Sequence, residues 1–445
     1  MTSQTTAARV RPYAEIPRAP RLPVIGSLHQ VVRRRPEFFE RAQALCGALF
    51  VLDLGVDELV VVGDALLAED VLHRRVEHFD KGGNMWDLVR ERIGQGLTFS
   101  EGELWRRQRR LLSHEFRRSR VQAFRAVIAE TVDEQLGQLD SGEAIDLSRW
   151  SERLLATMTA RVLLGGELDL DTFERLRAAF STLLGGFMLG AVTGALPRWL
   201  PVPGAGRLES ATRTIHEIIL AMIAERRRTG ATGQDLLSTL VRATEADGPM
   251  SDQQLLDEII VLYVAGYETT ASALAWTTKT LADQPELVAE LQGQIDAGED
   301  ATALPLLDAT FREGLRMYAP APFLPRRAAR DEVLGGYAIP AGRQLLVMPW
   351  LIHHNPRYWP SPARFDPRRH LGEHARPRLA WMPFGAGKRV CIGMGLGMLE
   401  GTLALAGLLR RFTPRPAGRP SQPMFSGTLS SADGVWVRLE RRACS

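Results

Sequence analysis

Three short segments carry residue types whose spacing suits chemistry. The first is Phe384-Gly-Ala-Gly-Lys-Arg-Val-Cys-Ile-Gly393. Its glycines allow tight turns and a close approach of the backbone to a flat ligand. Cys391 stands just ahead of a helical pattern, where unpaired N–H groups and the positive dipole end favour a thiolate. Arg389 can add a charge-assisted hydrogen bond to an anion. An inert buried thiol is still the commoner fate of a lone cysteine. The second segment is Ala265-Gly-Tyr-Glu-Thr-Thr270. Glu268 is a carboxylate in an apolar run, costly unless solvated, paired or functional. Gly266 lacks a side chain and would let a bound group approach the chain, while the Thr269 hydroxyl can equally bond the Ala265 carbonyl and bend a helix. The third is Trp105-Arg-Arg-Gln-Arg109-Arg110, in which Trp105 and Arg109 are four apart and share a helix face. A solvated charged face is its plain reading.

These segments need elements to hold them. Ser251-Asp-Gln-Gln254 reads as a capping box opening a long helix that runs to about Asp283, with Pro285 beyond. That helix carries Glu268 and Thr269. A second helix precedes Tyr318-Ala-Pro320 and places Glu313 and Arg316 three apart, by default a solvated surface pair. A third starts near Gly393 and ends around Phe412. Leu49–Leu54 and Leu59–Val62 predict a hairpin around Gly55-Val56-Asp57-Glu58, and Gly335–Val347 and Val435–Leu439 read as short strands. From about Ala65 the pattern is mainly helical, broken by Gly-rich turns at 82–83, 94–96, 165–166 and 229–233. Residues 1–26, with prolines at 12, 17, 20 and 23, form an extended lead-in, and 27–445 read as a single domain without repeats or linkers. The expected class is mainly α with small β-sheets (α+β).

Composition narrows the function classes. The 445 residues hold 55 basic and 52 acidic side chains, and this near balance argues against a nucleic-acid binder. Lysine occurs only at 81, 279 and 388, so the cations are almost all arginine, as in GC-rich bacterial genomes. Three cysteines, at 46, 391 and 444, do not make a disulfide framework and point to a reducing cytoplasm. The N-terminal residues lack an apolar core, so neither a signal peptide nor a transmembrane anchor is expected. Ala178–Pro197 is uncharged and long enough for a span, but four glycines and a closing Leu-Pro predict a Gly-broken loop or lid.

Phe384, Gly387, Arg389, Cys391 and Gly393 match, position for position, the haem-binding loop F-x-x-G-x-R-x-C-x-G of cytochromes P450, and the chain resembles that family. The resemblance implies haem b (iron protoporphyrin IX) held between the long helix and the cysteine loop. Cys391 would be the iron ligand, its thiolate pushing electron density that favours O–O cleavage. Ala265–Thr270 matches the A-G-x-[DE]-T-T signature. By that match Ala265 and Gly266 adjoin the haem, Glu268 relays protons, and Thr269 holds hydrogen-bonded oxygen and water, with O2 as co-substrate. Trp105 and Arg109 match the W-x-x-x-R pair for haem propionates, and Arg326 fits a further propionate arginine. Phe384, Gly385, Arg389 and Gly393 complete the implied haem contacts. Leu112-Ser-His114-Glu-Phe116 departs from the Pro-Ala-Phe often found after that pair. Pro362-Ala-Arg364-Phe365 resembles a P-x-R-F element, implying that Arg364 joins Glu313 and Arg316 in a buried structural network.

The activity so implied is oxygen insertion into a hydrophobic small molecule, by hydroxylation or epoxidation, as in soluble bacterial members of specialised metabolism. The family's pocket regions fall at about 82–98, 180–198, 261–270, 319–324 and 425–429, mainly apolar here, which suits a terpene or polyketide scaffold. No fused flavin or iron–sulfur region is evident, so a separate ferredoxin and ferredoxin reductase are the expected electron donors. Arginines 106, 107, 110, 117, 118 and 120 would steer an acidic ferredoxin. Two alternatives stay open: a haem-thiolate peroxygenase or isomerase needing no donor, and a non-catalytic interaction protein on the same fold.

Overall fold

Alternating β-branched and aromatic residues pair where the sequence places them. Strands β1 (Leu49–Asp53) and β2 (Glu58–Val62) are antiparallel, Leu49 opposite Val62 and Asp53 opposite Glu58. With β3 (Phe79–Asp80), β4 (Leu324–Ala328) and β5 (Gln344–Val347) they form a five-stranded sheet in the order β1-β2-β5-β4-β3. Only β2 and β5 run parallel, and such a pairing needs a long crossover. Here the crossover is most of the helical body. The computed structural model describes residues 9–443, apart from 32, 34, 56, 141, 167–168, 194–203, 230–234, 244–249, 299 and 374. The predicted hairpin turn at Val56 therefore lies partly outside the described residues. A smaller hairpin joins β6 (Pro423–Phe425) to β7 (Leu429–Ser431), and Trp436–Arg441 pairs with both Ala144–Asp146 and Phe412–Pro416.

The helices that frame the site are α1 (Asn84–Ile93), α2 (Gly102–Ser113), α3 (Leu147–Thr159), α4 (Leu170–Thr193), α5 (Ala205–Arg228), α6 (Asp252–Ala282), α7 (Pro305–Met317) and α8 (Met394–Arg411). The capping box at the head of α6 is present. Ser251 Oγ accepts from the Gln254 N–H at 3.2 Å, and Gln254 Oε1 accepts from the Ser251 N–H at 3.3 Å. This helix is apolar on almost every side because it runs through the core, packed by α3, α5, α7 and α8. Among the described residues it alone is long and apolar enough to cross a membrane, and it is mostly buried within the protein. Its first turns also hold the segment after α1. Asp257 Oδ2 accepts from the Gln95 N–H at 2.7 Å, and Glu258 Oε2 from the Leu97 N–H at 3.0 Å.

One expectation fails here. Residues 178–193 are helical, the C-terminal two thirds of α4, not a Gly-broken loop; 194–197 lie outside the described residues. Phe173, Leu176, Phe180 and Leu183 recur at helical spacing and are buried, so side-chain burial outweighs the cost of the glycines. Gly186 has a packing role: a Cβ there would lie 2.5 Å from Leu208 of α5.

Candidate active site

The cysteine loop is tied into a fixed shape before α8 begins. The Cys391 N–H donates to the Phe384 carbonyl at 2.9 Å, and the Gly385 N–H to that of Met382 at 3.0 Å. Gly387 has φ +65°, and a Cβ there would stand 2.0 Å from the Leu72 carbonyl oxygen, so only glycine fits. Cys391 is exposed solely because it borders an internal cavity; the residue itself lies deep in the protein. Burial pushes its thiol up, against the pull of the Gly393 and Met394 N–H groups at the helix end and the Arg109 charge. A metal cation beside the sulfur would reverse that balance.

The cavity, of about 720 Å³, is bounded by the middle of α6 and by this loop. It brings together the twelve residues expected to bind haem or handle oxygen: Trp105, Arg109, Ala265, Gly266, Glu268, Thr269, Arg326, Phe384, Gly385, Arg389, Cys391 and Gly393. One of them does a different job from the one expected. The bare face of Gly266 points at the end of α3 and the turn after it, where a Cβ would meet Thr159 Cγ2 at 3.1 Å and Leu163 Cδ1 at 3.8 Å. The missing side chain makes room for a helix, and only the backbone of Gly266 borders the cavity.

Cations crowd one end. Arg389 donates from Nη1 to the Ser100 carbonyl at 2.9 Å, pairs with Glu101, and lies 4.0 Å over the Trp105 ring. Arg326, on β4, is 5% exposed and donates to the carbonyl of Pro325 at 2.7 Å. Among the described residues neither Arg326 nor Arg109 forms an ion pair with a carboxylate. Burial brings Arg326 down to about 10. Lys81 is buried too; its ammonium donates to the Thr98 carbonyl above the Trp86 ring, and burial holds it well below the usual lysine range. Buried cations are costly when counter-charge is short, and here the near carboxylate, Glu101, is already paired with Arg389, so this end suits a ligand bearing carboxylates. Haem, with two propionates and a flat apolar ring, fits both this cluster and the sulfur opposite α6. Lys81 was not singled out in the sequence, although one of only three lysines, flanked by Phe79 and two glycines, is a usable signal.

On α6, Glu268 Oε1 accepts from the Thr428 hydroxyl at 2.7 Å. Burial raises Glu268 to about 7, Thr428 opposes the rise, and the charge of Glu152 adds to it. The Thr269 hydroxyl donates to the Ala265 carbonyl at 2.9 Å, so the helix-bonding alternative is the one observed, and its oxygen keeps acceptor capacity toward the cavity. Glu400 of α8 is a second acid that the sequence reading missed. It borders the cavity, burial raises it to about 8, and its Oε1 has no partner. It was legible by the logic that flagged Glu268, a lone charge in an apolar helix.

Below the loop lies an ionic hub. Glu313 binds Arg316 through Nε at 2.8 Å and Nη2 at 2.9 Å, both side chains fully buried. Arg369 Nε and His370 Nε2 approach Glu313 at 3.0 and 2.9 Å, and the Asp366 N–H donates at 3.0 Å. These partners hold the carboxyl below its usual range although burial opposes them. Arg364 is not the third basic partner. Its side chain is exposed, and only its carbonyl accepts, from Arg369 at 3.2 Å and Arg316 at 3.5 Å. The 3₁₀ turn Pro367–His370, capped by the Asp366 side chain, carries Arg369 inward instead. Arg316 also donates to the His353 carbonyl at 2.7 Å, and His353 Nε2 accepts from the Met382 N–H at 2.9 Å. The hub thus reaches the start of the cysteine loop.

Residues 17–433 match the sequence profile of the family described as cytochrome P450. The chain is 33% identical to cyclooctat-9-en-7-ol 5-monooxygenase of Streptomyces melanosporofaciens, over 93% of this chain and 92% of the relative. It is 31% identical to pentalenene oxygenase of Streptomyces avermitilis, covering 95% and 96% respectively. The crystal structure of the cytochrome P450DA heme domain superposes with a TM-score of 0.84 at 24% identity, over 96% of this chain and 97% of that one. The chain therefore belongs to the cytochrome P450 family and is a monooxygenase that uses haem b, with dioxygen as co-substrate.

Proposed function

We propose that this monooxygenase inserts one oxygen atom into a C–H or C=C bond of a polycyclic terpenoid. Its electrons would come from a separate ferredoxin and ferredoxin reductase in a bacterial cytoplasm. The observation that carries the substrate reading is the apolar lining that shares the cavity with Glu268 and Thr269. It includes Val89, Ile93, Leu183, Leu208 and Phe323, a surface for a rigid hydrocarbon rather than a small polar acid. Relatives named for terpenoid oxidation, at 31–33% identity, support the same class.

Haem b, when bound, supplies the activation of dioxygen. Cys391 would hold its iron, while Arg109, Arg326 and Lys81 would neutralise its propionates and Trp105 would pack beside them. Arg389, already paired with Glu101, would stiffen that end. Glu268, near 7, can release and regain a proton at neutral pH, which is the property a relay needs. Thr269, its own proton committed to Ala265, would present an oxygen that accepts a hydrogen bond from water or a proton donor.

The test is a spectral binding screen of holoenzyme against polycyclic terpene hydrocarbons and alcohols, with cyclooctat-9-en-7-ol and pentalenene as probes. Product analysis with a surrogate ferredoxin system follows. Terpenoids are expected to perturb the haem spectrum and to gain one oxygen atom. A screen in which only small polar acids did so would overturn the substrate reading.

A further inference from the structure

The turn Ser426–Thr428 between β6 and β7 grips α6 at two points one helical turn apart. Thr428 donates to Glu268 at 2.7 Å, and four residues on, the Ser272 hydroxyl donates to the Leu429 carbonyl at 2.8 Å. The turn is itself braced. The N–H and hydroxyl of Ser426 both donate to the Thr428 carbonyl, at 2.9 and 2.7 Å, and the Leu429 N–H donates to the Pro320 carbonyl at 2.8 Å. Gly427, Thr428 and Glu268 all border the cavity. Among the described residues Thr428 is the one hydrogen-bond donor to the Glu268 carboxyl.

We propose that Thr428 is a positioning residue for Glu268: the turn that carries it fixes where the carboxyl points and how readily it holds a proton, and so ties proton supply to the segment a substrate would press against. This rests on reading Glu268 as a proton relay. The physical basis is that a hydroxyl bonded to a carboxylate favours the ionised form. The other groups facing Glu268 act differently. Glu152 of α3 pushes the acid up, and Tyr267, next along α6, is itself held well above its usual range by burial and then by the charges of Glu268 and Glu152, with Arg177 of α4 opposing. Neither Glu152 nor Tyr267 donates a hydrogen bond to it, so orientation falls to Thr428.

The experiment is infrared titration of the Glu268 carboxyl in holoenzyme, assigned by difference against Glu268→Gln. Thr428→Val keeps the shape and deletes the donor. Its midpoint should move up by about one pH unit, the scale of one charge-assisted hydrogen bond. Thr428→Ser should stay near the wild-type midpoint. An unmoved midpoint in Thr428→Val, or a Thr428→Ser midpoint that moves as far as the valine variant's, overturns the proposal. The reduced carbon monoxide spectrum of each variant checks that the haem pocket is intact. A second readout separates the two readings: dioxygen-dependent NADPH oxidation with the surrogate ferredoxin system. Glu268→Gln should slow it roughly a hundredfold if the acid relays protons. An unchanged rate there removes the relay and the proposal with it. A slowed Glu268→Gln beside an unmoved Thr428→Val midpoint sinks the positioning role alone.

Discussion

Two carboxylates on neighbouring helices, one sealed in the core and one lining the cavity, meet opposite fates. Glu313 on α7 has Arg316, Arg369, His370 and a backbone N–H around it, and these partners hold it below the usual carboxylate range. Glu268 on α6 has one hydroxyl, and burial lifts it to about 7. A carboxylate saturated with cations has no use for a proton and serves the fold, whereas one left nearly alone is poised to exchange one. Partner count, together with access to the cavity, separates structure from chemistry here.

The sharpest way to break this contrast is Glu313→Gln. It leaves Arg316, Arg369 and His370 around a neutral amide, and loss of one member of a buried ionic set costs about 3–5 kcal/mol. Denaturant melts and haem content of the purified protein should show poor holoenzyme yield; near wild-type stability would place the hub's role elsewhere. The wild-type hub also has a pH signature. Because the folded value of Glu313 is depressed, its contribution is complete above the ordinary value of 4.5 and fades as pH falls through the folded one.

Glu268→Gln should do the reverse, sparing the fold and cutting turnover roughly a hundredfold. With the folded value raised, stability falls as pH climbs from 4.5 to about 7, and then levels. The glutamine variant should show a shallower slope in melts across this window, the remainder coming from other raised acids such as Glu400. A variant with the wild-type slope would mean that another acid, such as Glu400 at about 8, dominates it. Arg326→Leu ranks next. It removes a buried cation without a carboxylate partner, so haem-free protein should be no less stable, while haem release, followed by transfer to an acceptor protein, should speed up roughly tenfold. Equal release rates would detach Arg326 from the haem. The smallest effect belongs to Arg364→Ala, an exposed side chain outside the hub, which should stay within about 0.5 kcal/mol of wild type. A larger loss would restore the motif-based assignment.

How much of this was legible depended on whether a signal was local. The capping box at Ser251 and the hairpin at 49–62 are written in adjacent residues and appear as read. The cysteine loop, α6 and Trp105–Arg109 each carry spaced motifs, and their motif residues border one cavity, except Gly387, which packs against Leu72. The misreadings concern partners distant in sequence. A P-x-R-F string selected Arg364, but the backbone turn capped by Asp366 decides which arginine faces Glu313. The bare face of Gly266 was assigned to a ligand because the approach of α3 is a tertiary fact. Counting glycines in 178–193 hid a helix whose apolar spacing starts earlier, at Phe173. Lys81 and Glu400 matched no motif, and their significance comes from being buried beside the cavity.

The parallel pairing of β2 with β5 bears on how the molecule is made. Residues 59–62 lie beside 344–347, so that rung forms only after most of the chain exists and has come together. Contacts this far apart in sequence are slow to form. Strand β4, which carries Arg326, hydrogen-bonds to β5 and is held in place by the same sheet. Bringing Lys81, next to β3, together with Arg326 on β4 needs contacts of that same long range, so the cationic end of the cavity should be among the last parts assembled, while α6 is fixed by contacts closer in sequence. Refolding followed by haem fluorescence quenching should show capture of the cofactor lagging behind the gain of helix.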